Sequence, residues 1–548
     1  MPPIQLRIAA KKLRAPALRL AFAALLLSGP VCAQVIDPTT ATEAKSPSPS
    51  KGGTLNWIVT PEPSSFLPLT TTAGSSAELG PKVVEGLLAY DYELNPRPLL
   101  ATEWALSPDG LTYTFKLRKG VKWHDGTDFT SADVAYSILA LKQFHPRGRS
   151  TFANVQEVQT PDPHTAVIVL SKPAPYLLTA LAGAESPIIP KHLYEGTEVV
   201  SNKYNNSPIG TGPYVFKEWV KGSHLILERN PAYWDQPKPH LDRIVVRFIP
   251  DAVSRAAALE SKAADLASQA IPLSDVKRFK DLPAFRVDTT DWPYVSSHQQ
   301  LIFNLDSPIL KNRDVRLAIS NAVDVEALNK VVWLGYGTVS AAAIGRASAK
   351  YHNNDIKYYP VDLKQAEALL DSAGYKKGAD GYRFKLRLLY NPFQEKRAAD
   401  FVRQSLSRIG IDAVIENYDF ATYVTKAYTD RAFDITLEAL ANVFDPTVGV
   451  QRVFWSKNFK IGLPFSNAAH YVNPQVDTLL ESAAVEINEG KRRQDFLDFQ
   501  LIVHQDIPSI EFGANPNIAV IARKVKNYAP TGEGLRGSFS DLYIEATP

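Results

Sequence analysis

The residue types able to do covalent or metal chemistry are all present in this chain, but not at the spacings such chemistry needs. Gly210-Thr211-Gly212 begins like a phosphate-cradling turn, yet no third glycine follows in register and no Lys-Ser/Thr pair comes after it. The ten histidines are dispersed, with none in an HExxH arrangement. There is no Gly-x-Ser-x-Gly elbow. Ser274-Asp275-Val276-Lys277 meets the Ser-x-x-Lys pattern but lacks the companion motifs of a serine acylase. Asp125, Asp128 and Asp133 could supply an acid/base pair, although capping and turn roles account for them more simply. A single cysteine, Cys32, excludes a disulfide scaffold and any Cys-based metal centre. No catalytic centre, resident metal or cofactor is predicted.

Composition narrows the class. The 548 residues are 45% hydrophobic and 10% aromatic, enough for a large core and for more than one domain. The formal charge of +3 is concentrated at one end: residues 1–33 hold Arg7, Lys11, Lys12, Arg14 and Arg19 with no acid, and without those five the remainder carries −2. Nucleic acid is therefore excluded as a partner. An apolar run from Leu20 to Leu27 follows the basic residues, then Val31-Cys32-Ala33. This predicts a secretory signal over residues 1–33, cleaved after Ala33; the run is shorter than the about 20 apolar residues a bilayer span needs. Val31 after Pro30 is not the small residue a lipidation signal places before its cysteine, so cleavage is predicted over acylation of Cys32. Residues 34–51, rich in Ser, Thr and Pro, read as a flexible leader.

The elements that must position any site follow. Strands are predicted at Thr54–Val59, at Thr112–Arg118 with Tyr113, Phe115 and Leu117 on one face, and at Ala166–Leu170. Thr130 and Asp133 form a capping box for a helix carrying Val134, Ile138 and Leu141. Tyr214–Val220 and His224–Arg229 flank Lys221-Gly222 as a hairpin. Helices are predicted from Asp251 to Lys262, over Asp314–Val323, over Leu363–Ala373 stopped by Gly374, and over Arg397–Ile409 stopped by Gly410. Strands at Phe384–Leu389, Asp412–Glu416 and Phe433–Leu440 alternate with them, an α/β pattern over roughly 300–505. A strand-rich tail is expected at Ser509–Ala522.

Three segments taken together resemble the solute-binding protein family 5 of ABC importers, the dipeptide, oligopeptide, nickel and opine group. They are LLATEWALSPDGLTYTFKLRKGVKWHDGTDFTSADVAY (99–136), PIGTGPYVFKEWVKGSHLILERNPAYW (208–234) and FNLDSPILKNRDVRLAISNAV (303–323). Weaker matches lie at Val84–Asp91, Ala366–Tyr375 and Asn473–Asp477, in family order from about residue 52 onward. Most of these residues make turns and strand ends, so the likeness identifies a scaffold rather than a contact surface.

The resemblance implies an α/β, two-lobed periplasmic binding protein (type II, cluster C-like) with a hinge between lobes and an extra subdomain in lobe one. It places lobe one at 52–298, with the subdomain at about 75–205, lobe two at 299–507, and a return to lobe one over 508–548. Crossings are expected near Ser297–Asn304 and Ile507–Phe512. The implied protein is a monomeric periplasmic receptor that encloses a small-molecule or peptide solute and delivers it to an inner-membrane ABC permease with its ATPase subunits. A secreted α/β hydrolase and a chemosensory binding protein are the alternatives. Dipeptide and oligopeptide members hold the ligand ammonium with an Asp four residues before a Pro. Here that position is Asn442, with Asp445 either a substitute or a turn residue. Leu388 or Leu389 stands where the dipeptide member places a carboxylate-binding Arg, so an uncharged, longer or differently oriented ligand is expected. Ser65, Phe66, Tyr390, Asn391, Asn442, Phe444, Asp445 and Trp455 are the pocket residues implied.

Overall fold

Local signals set most elements. In the computed structural model, which describes residues 49–269 and 271–545, the strand Thr112–Leu117 buries Tyr113, Phe115 and Leu117 as the alternation requires. The predicted signal segment and residues 34–48 of the leader lie outside the described residues. The helix Ser131–Phe144 opens on the Thr130/Asp133 capping box. Gly222, at φ +75, turns the hairpin between Tyr214–Val220 and His224–Arg229. The helix Leu363–Ser372 ends where Gly374 adopts φ +90 and the Tyr375 N–H donates back to the Leu370 carbonyl at 2.9 Å. That left-handed cap throws the Tyr375 ring onto Phe384, 4.9 Å away, at the start of the next strand.

These elements assemble into three main sheets. Phe285–Asp288, Ala519–Ala522, Leu266–Ser268, Thr54–Ile58, Arg243–Arg247, His224–Arg229 and Tyr214–Val220 form a seven-stranded sheet in that order. Within it Thr54–Ile58 runs parallel to both of its neighbours. A four-stranded antiparallel sheet, drawn from residues 101–170, carries the helix Ser131–Phe144 against two of its strands. Its core is continuous with that of the seven-stranded sheet. The five-stranded sheet runs Ile411–Glu416, Phe384–Tyr390, Ile435–Val443, Val295–Phe303, Ser509–Ala514. Separate apolar clusters cover its two faces: Leu301, Phe303 and Leu437 on one side, Ile302, Leu389 and Leu440 on the other.

The passages between the large sheets are not where the sequence placed them. Val295–Phe303 pairs along its whole length with Ile435–Val443, from Val295↔Val443 to Phe303↔Ile435. Ser297–Asn304 is thus locked inside the five-stranded sheet rather than crossing. Ile507, at φ +53, caps the long helix Glu489–Asp506, and Ser509–Ala514 then joins the same sheet. The expected tail of strands is divided, because Ala519–Ala522 belongs to the seven-stranded sheet. The chain therefore passes between sheets at 289–294 and at 515–518.

Candidate functional site

Both passages line one cavity of about 570 Å³. Gln269 and Ile518 reach it from just beyond the ends of the strands Leu266–Ser268 and Ala519–Ala522 of the seven-stranded sheet, Ser296 and Ala441 from adjacent strands of the five-stranded sheet, Asp291 and Trp292 from the first passage. Asn515 enters from the second passage. Its Nδ2 donates to Gln394 Oε1 at 2.6 Å, which ties that passage to the loop after Phe384–Tyr390. Phe393, in the same loop, is 75% exposed at the cavity wall. Its position is set from below: Asn391 Oδ1 accepts the Phe393 N–H at 3.0 Å, and Asn391 Nδ2 donates to the buried Glu438 at 2.7 Å. Aromatic faces with a few placed polar groups suit a small organic ligand.

Charge in the wall is mostly acidic. Burial pushes the Asp291 carboxyl up to about 6, against a hydrogen bond from Ser296 Oγ (2.9 Å) and the pull of His298. Burial likewise raises Glu533 to about 7, and raises Glu78 although Ser268 Oγ donates to it at 2.9 Å. Lys82, fully buried behind this wall, is pushed down to about 7 by burial, against the attraction of Glu78 and Glu533. Arg536 is the basic side chain that lines the cavity itself.

None of the eight pocket residues implied by sequence lies in this wall. Phe66 is fully buried in the core, edge-on to Phe216 at 6.0 Å, and Ser65 Oγ faces the carbonyls of Leu67 and Asn205. Tyr390 packs into one face of the five-stranded sheet, and Trp455 donates to Glu481 at 2.9 Å. Asp445 is committed elsewhere. Arg492 holds both of its oxygens, at 2.7 and 2.9 Å, and one of them also accepts the Thr447 N–H as a helix cap, so it is not a spare anchor for an ammonium group. Phe444 packs on Tyr294, centroid to centroid 5.4 Å, and Tyr294 on Tyr90 at 5.3 Å. Asn442 is buried on the sheet face that also carries His298; its Nδ2 has no hydrogen-bond partner among the described residues. Asn391 contributes by holding Phe393. The wall residues Asp291, Phe393, Glu533 and Arg536 were missed, although Arg536 stands in Gly534-Leu535-Arg536-Gly537, a glycine-flanked cation of the kind that signals close approach.

One polar chain bears on the hydrolase alternative. Ser509 Oγ donates to Glu511 Oε1 at 2.6 Å, and Glu511 Oε2 meets His298 Nε2 at 2.8 Å. The carboxylate stands between serine and imidazole, so the imidazole cannot take the serine proton as a nucleophile's base must.

Residues 95–460 match the family model described as bacterial extracellular solute-binding proteins, family 5 Middle. The dipeptide-binding protein of Escherichia coli (strain K12) is 26% identical over 88% of this chain and 92% of its own. Among solved structures, the periplasmic binding protein DppA from Helicobacter pylori in complex with the peptide STSA superposes with TM-score 0.76. It is 28% identical, over 91% of this chain and 99% of that one. NikZ from Campylobacter jejuni, in complex with Ni(L-His), gives TM-score 0.73 at 28% identity, over 86% of this chain and 95% of that one. Among the described residues no helix is long and apolar enough to cross a membrane.

Proposed function

The chain belongs to the bacterial extracellular solute-binding proteins of family 5, and on that premise we propose that it is the periplasmic receptor of an ABC importer for small peptide-like solutes. The observation that carries the reading is the cavity between the two large sheets, lined by both passages and by residues of each sheet. A ligand held there touches both lobes at once. Its binding energy can then favour the arrangement in which they are closest. On this reading lobe one comprises 52–294 and 515–545, and lobe two 295–514. Export through the signal over residues 1–33 and delivery to an inner-membrane permease complete the proposal. The peptide class is supported by the mixed charge of the wall, which suits a zwitterion, and by the peptide-binding relatives.

Mass spectrometry of small molecules released by denaturing protein purified from the periplasm tests this directly. Peptides or amino-acid conjugates are the expected cargo. A sugar or a bare metal ion as the sole stoichiometric cargo would overturn the class.

A further inference from the structure

The lobe-one side of the cavity ends on the segment 533–537, which is held far more firmly than a loop near a chain end usually is. Gly534 takes φ +59, and a Cβ there would stand 2.3 Å from the Trp292 ring, so the backbone lies flat on the indole and admits only glycine. Lys82 Nζ donates to the Leu535 and Gly537 carbonyls, both at 2.6 Å, and sits 3.8 Å from the centre of the Phe539 ring. The Arg536 N–H donates to the Glu533 carbonyl at 3.0 Å. The peptide groups on both sides of Arg536 are therefore pinned by buried contacts.

The Arg536 side chain is treated differently from the other inward-facing guanidinium groups. Arg147 is spent on Glu185, Arg492 on Asp445, Arg452 on the Gly449, Phe465 and Ala441 carbonyls, and Arg316 on four carbonyls. Arg536, by contrast, makes no side-chain hydrogen bond and no ion pair within 4.0 Å among the described residues. Glu78 is near enough to attract it but not to pair with it. A guanidinium carries five donors in a planar fork suited to a carboxylate, and this one, half-buried in the wall, leaves its donors open to the cavity. A rigid backbone presenting such a fork to a ligand cavity is how an anion receptor is preorganised.

We propose that Arg536 receives the anionic end of the ligand, a free carboxylate of a peptide-like solute, so that the carboxylate anchor comes from lobe one. This rests on the receptor reading above. It also removes the reason for expecting an uncharged ligand from Leu388 and Leu389, since the anchor reaches the cavity from the opposite lobe.

The test uses the full mature protein, freed of cargo by denaturation and dialysis. It is offered an equimolar mixture of random tripeptides with free carboxylates and the same tripeptides amidated at the C-terminus. Native mass spectrometry reads what is captured. The free acids should be retained over the amides by roughly tenfold to a hundredfold, the range of one charge-assisted pair. Arg536→Gln should lose that preference and Arg536→Lys should keep most of it. Capture of acids and amides alike by the unaltered protein overturns the anchor while leaving the receptor reading intact, and it does so whether or not Arg536→Gln folds. An undiminished preference in folded Arg536→Gln overturns it equally. Capture of neither mixture overturns the peptide-receptor reading and the anchor together.

Discussion

Asp291 stores free energy that a ligand or a mutation can release. Its carboxyl is held up at about 6 by burial, so the folded state binds a proton more tightly than the unfolded chain. Stability then falls as pH rises from about 4 to 6 and stays lower above that window. Asp291→Asn removes the penalty: it should raise the melting temperature at pH 8, by an amount equivalent to about 2 kcal/mol, and change little at pH 4. Thermal melts at the two pH values check both halves. Asn442 behaves in the opposite sense. Its Nδ2 and His298 Nδ1, both without partners among the described residues, lie 3.3 and 3.1 Å from where a Cβ on Gly345 would stand. Asn442→Asp puts a carboxylate into this buried corner, where burial favours its protonated form. That form is lost as pH rises, so the variant should lose about 1–3 kcal/mol at pH 8 and less at pH 5. Sequence placed Asn442 at a distinctive position but not this surrounding, because Gly345 and His298 come from segments with no local tie to it.

At the scale of elements, signals confined to a few consecutive residues were legible. The Thr130/Asp133 box, the Gly222 hairpin and the Gly374 cap all lie where their spacing put them, since each depends on backbone geometry within one turn. Pairings between distant segments were not. Whether Ser296 belongs to a crossover or a strand is decided by Asn442, its partner across the sheet, and the division of 509–522 is decided by strands at 285–288 and 295–303. Asp445 shows the same limit. As a residue before proline it read equally as an anchor or a turn, and the guanidinium that settles its role arrives from the helix Glu489–Asp506. Both members of that pair are buried, so Asp445→Ala strands a charge and should cost about 3–5 kcal/mol by denaturant titration. Replacing both residues by apolar ones of similar volume should recover much of the loss.

At the scale of the whole molecule, the family-level fold was legible because its signature segments span most of the chain, whereas the cavity wall was not: it draws on residues near 78, 269, 291, 393, 515 and 536. Those segments meet only because the chain passes twice between the large sheets. Tyr294, just ahead of Val295–Phe303, packs on Phe444, which directly follows the partner strand Ile435–Val443. This contact stands at the first passage, and Phe444 belongs to the same apolar cluster as the seven-stranded sheet. It is suited to serve as a pivot. Rotation about it changes the distance between Arg536 on one side and Phe393 on the other, so a ligand spanning both should draw the lobes together. Small-angle scattering on cargo-free protein should show the radius of gyration fall when the free-acid tripeptide mixture is added, and Arg536→Gln should blunt the change at equal peptide concentration. A constant radius in unaltered protein shown by mass spectrometry to be loaded would mean that the cavity accepts ligand without closure, and the pivot would then be a rigid strut.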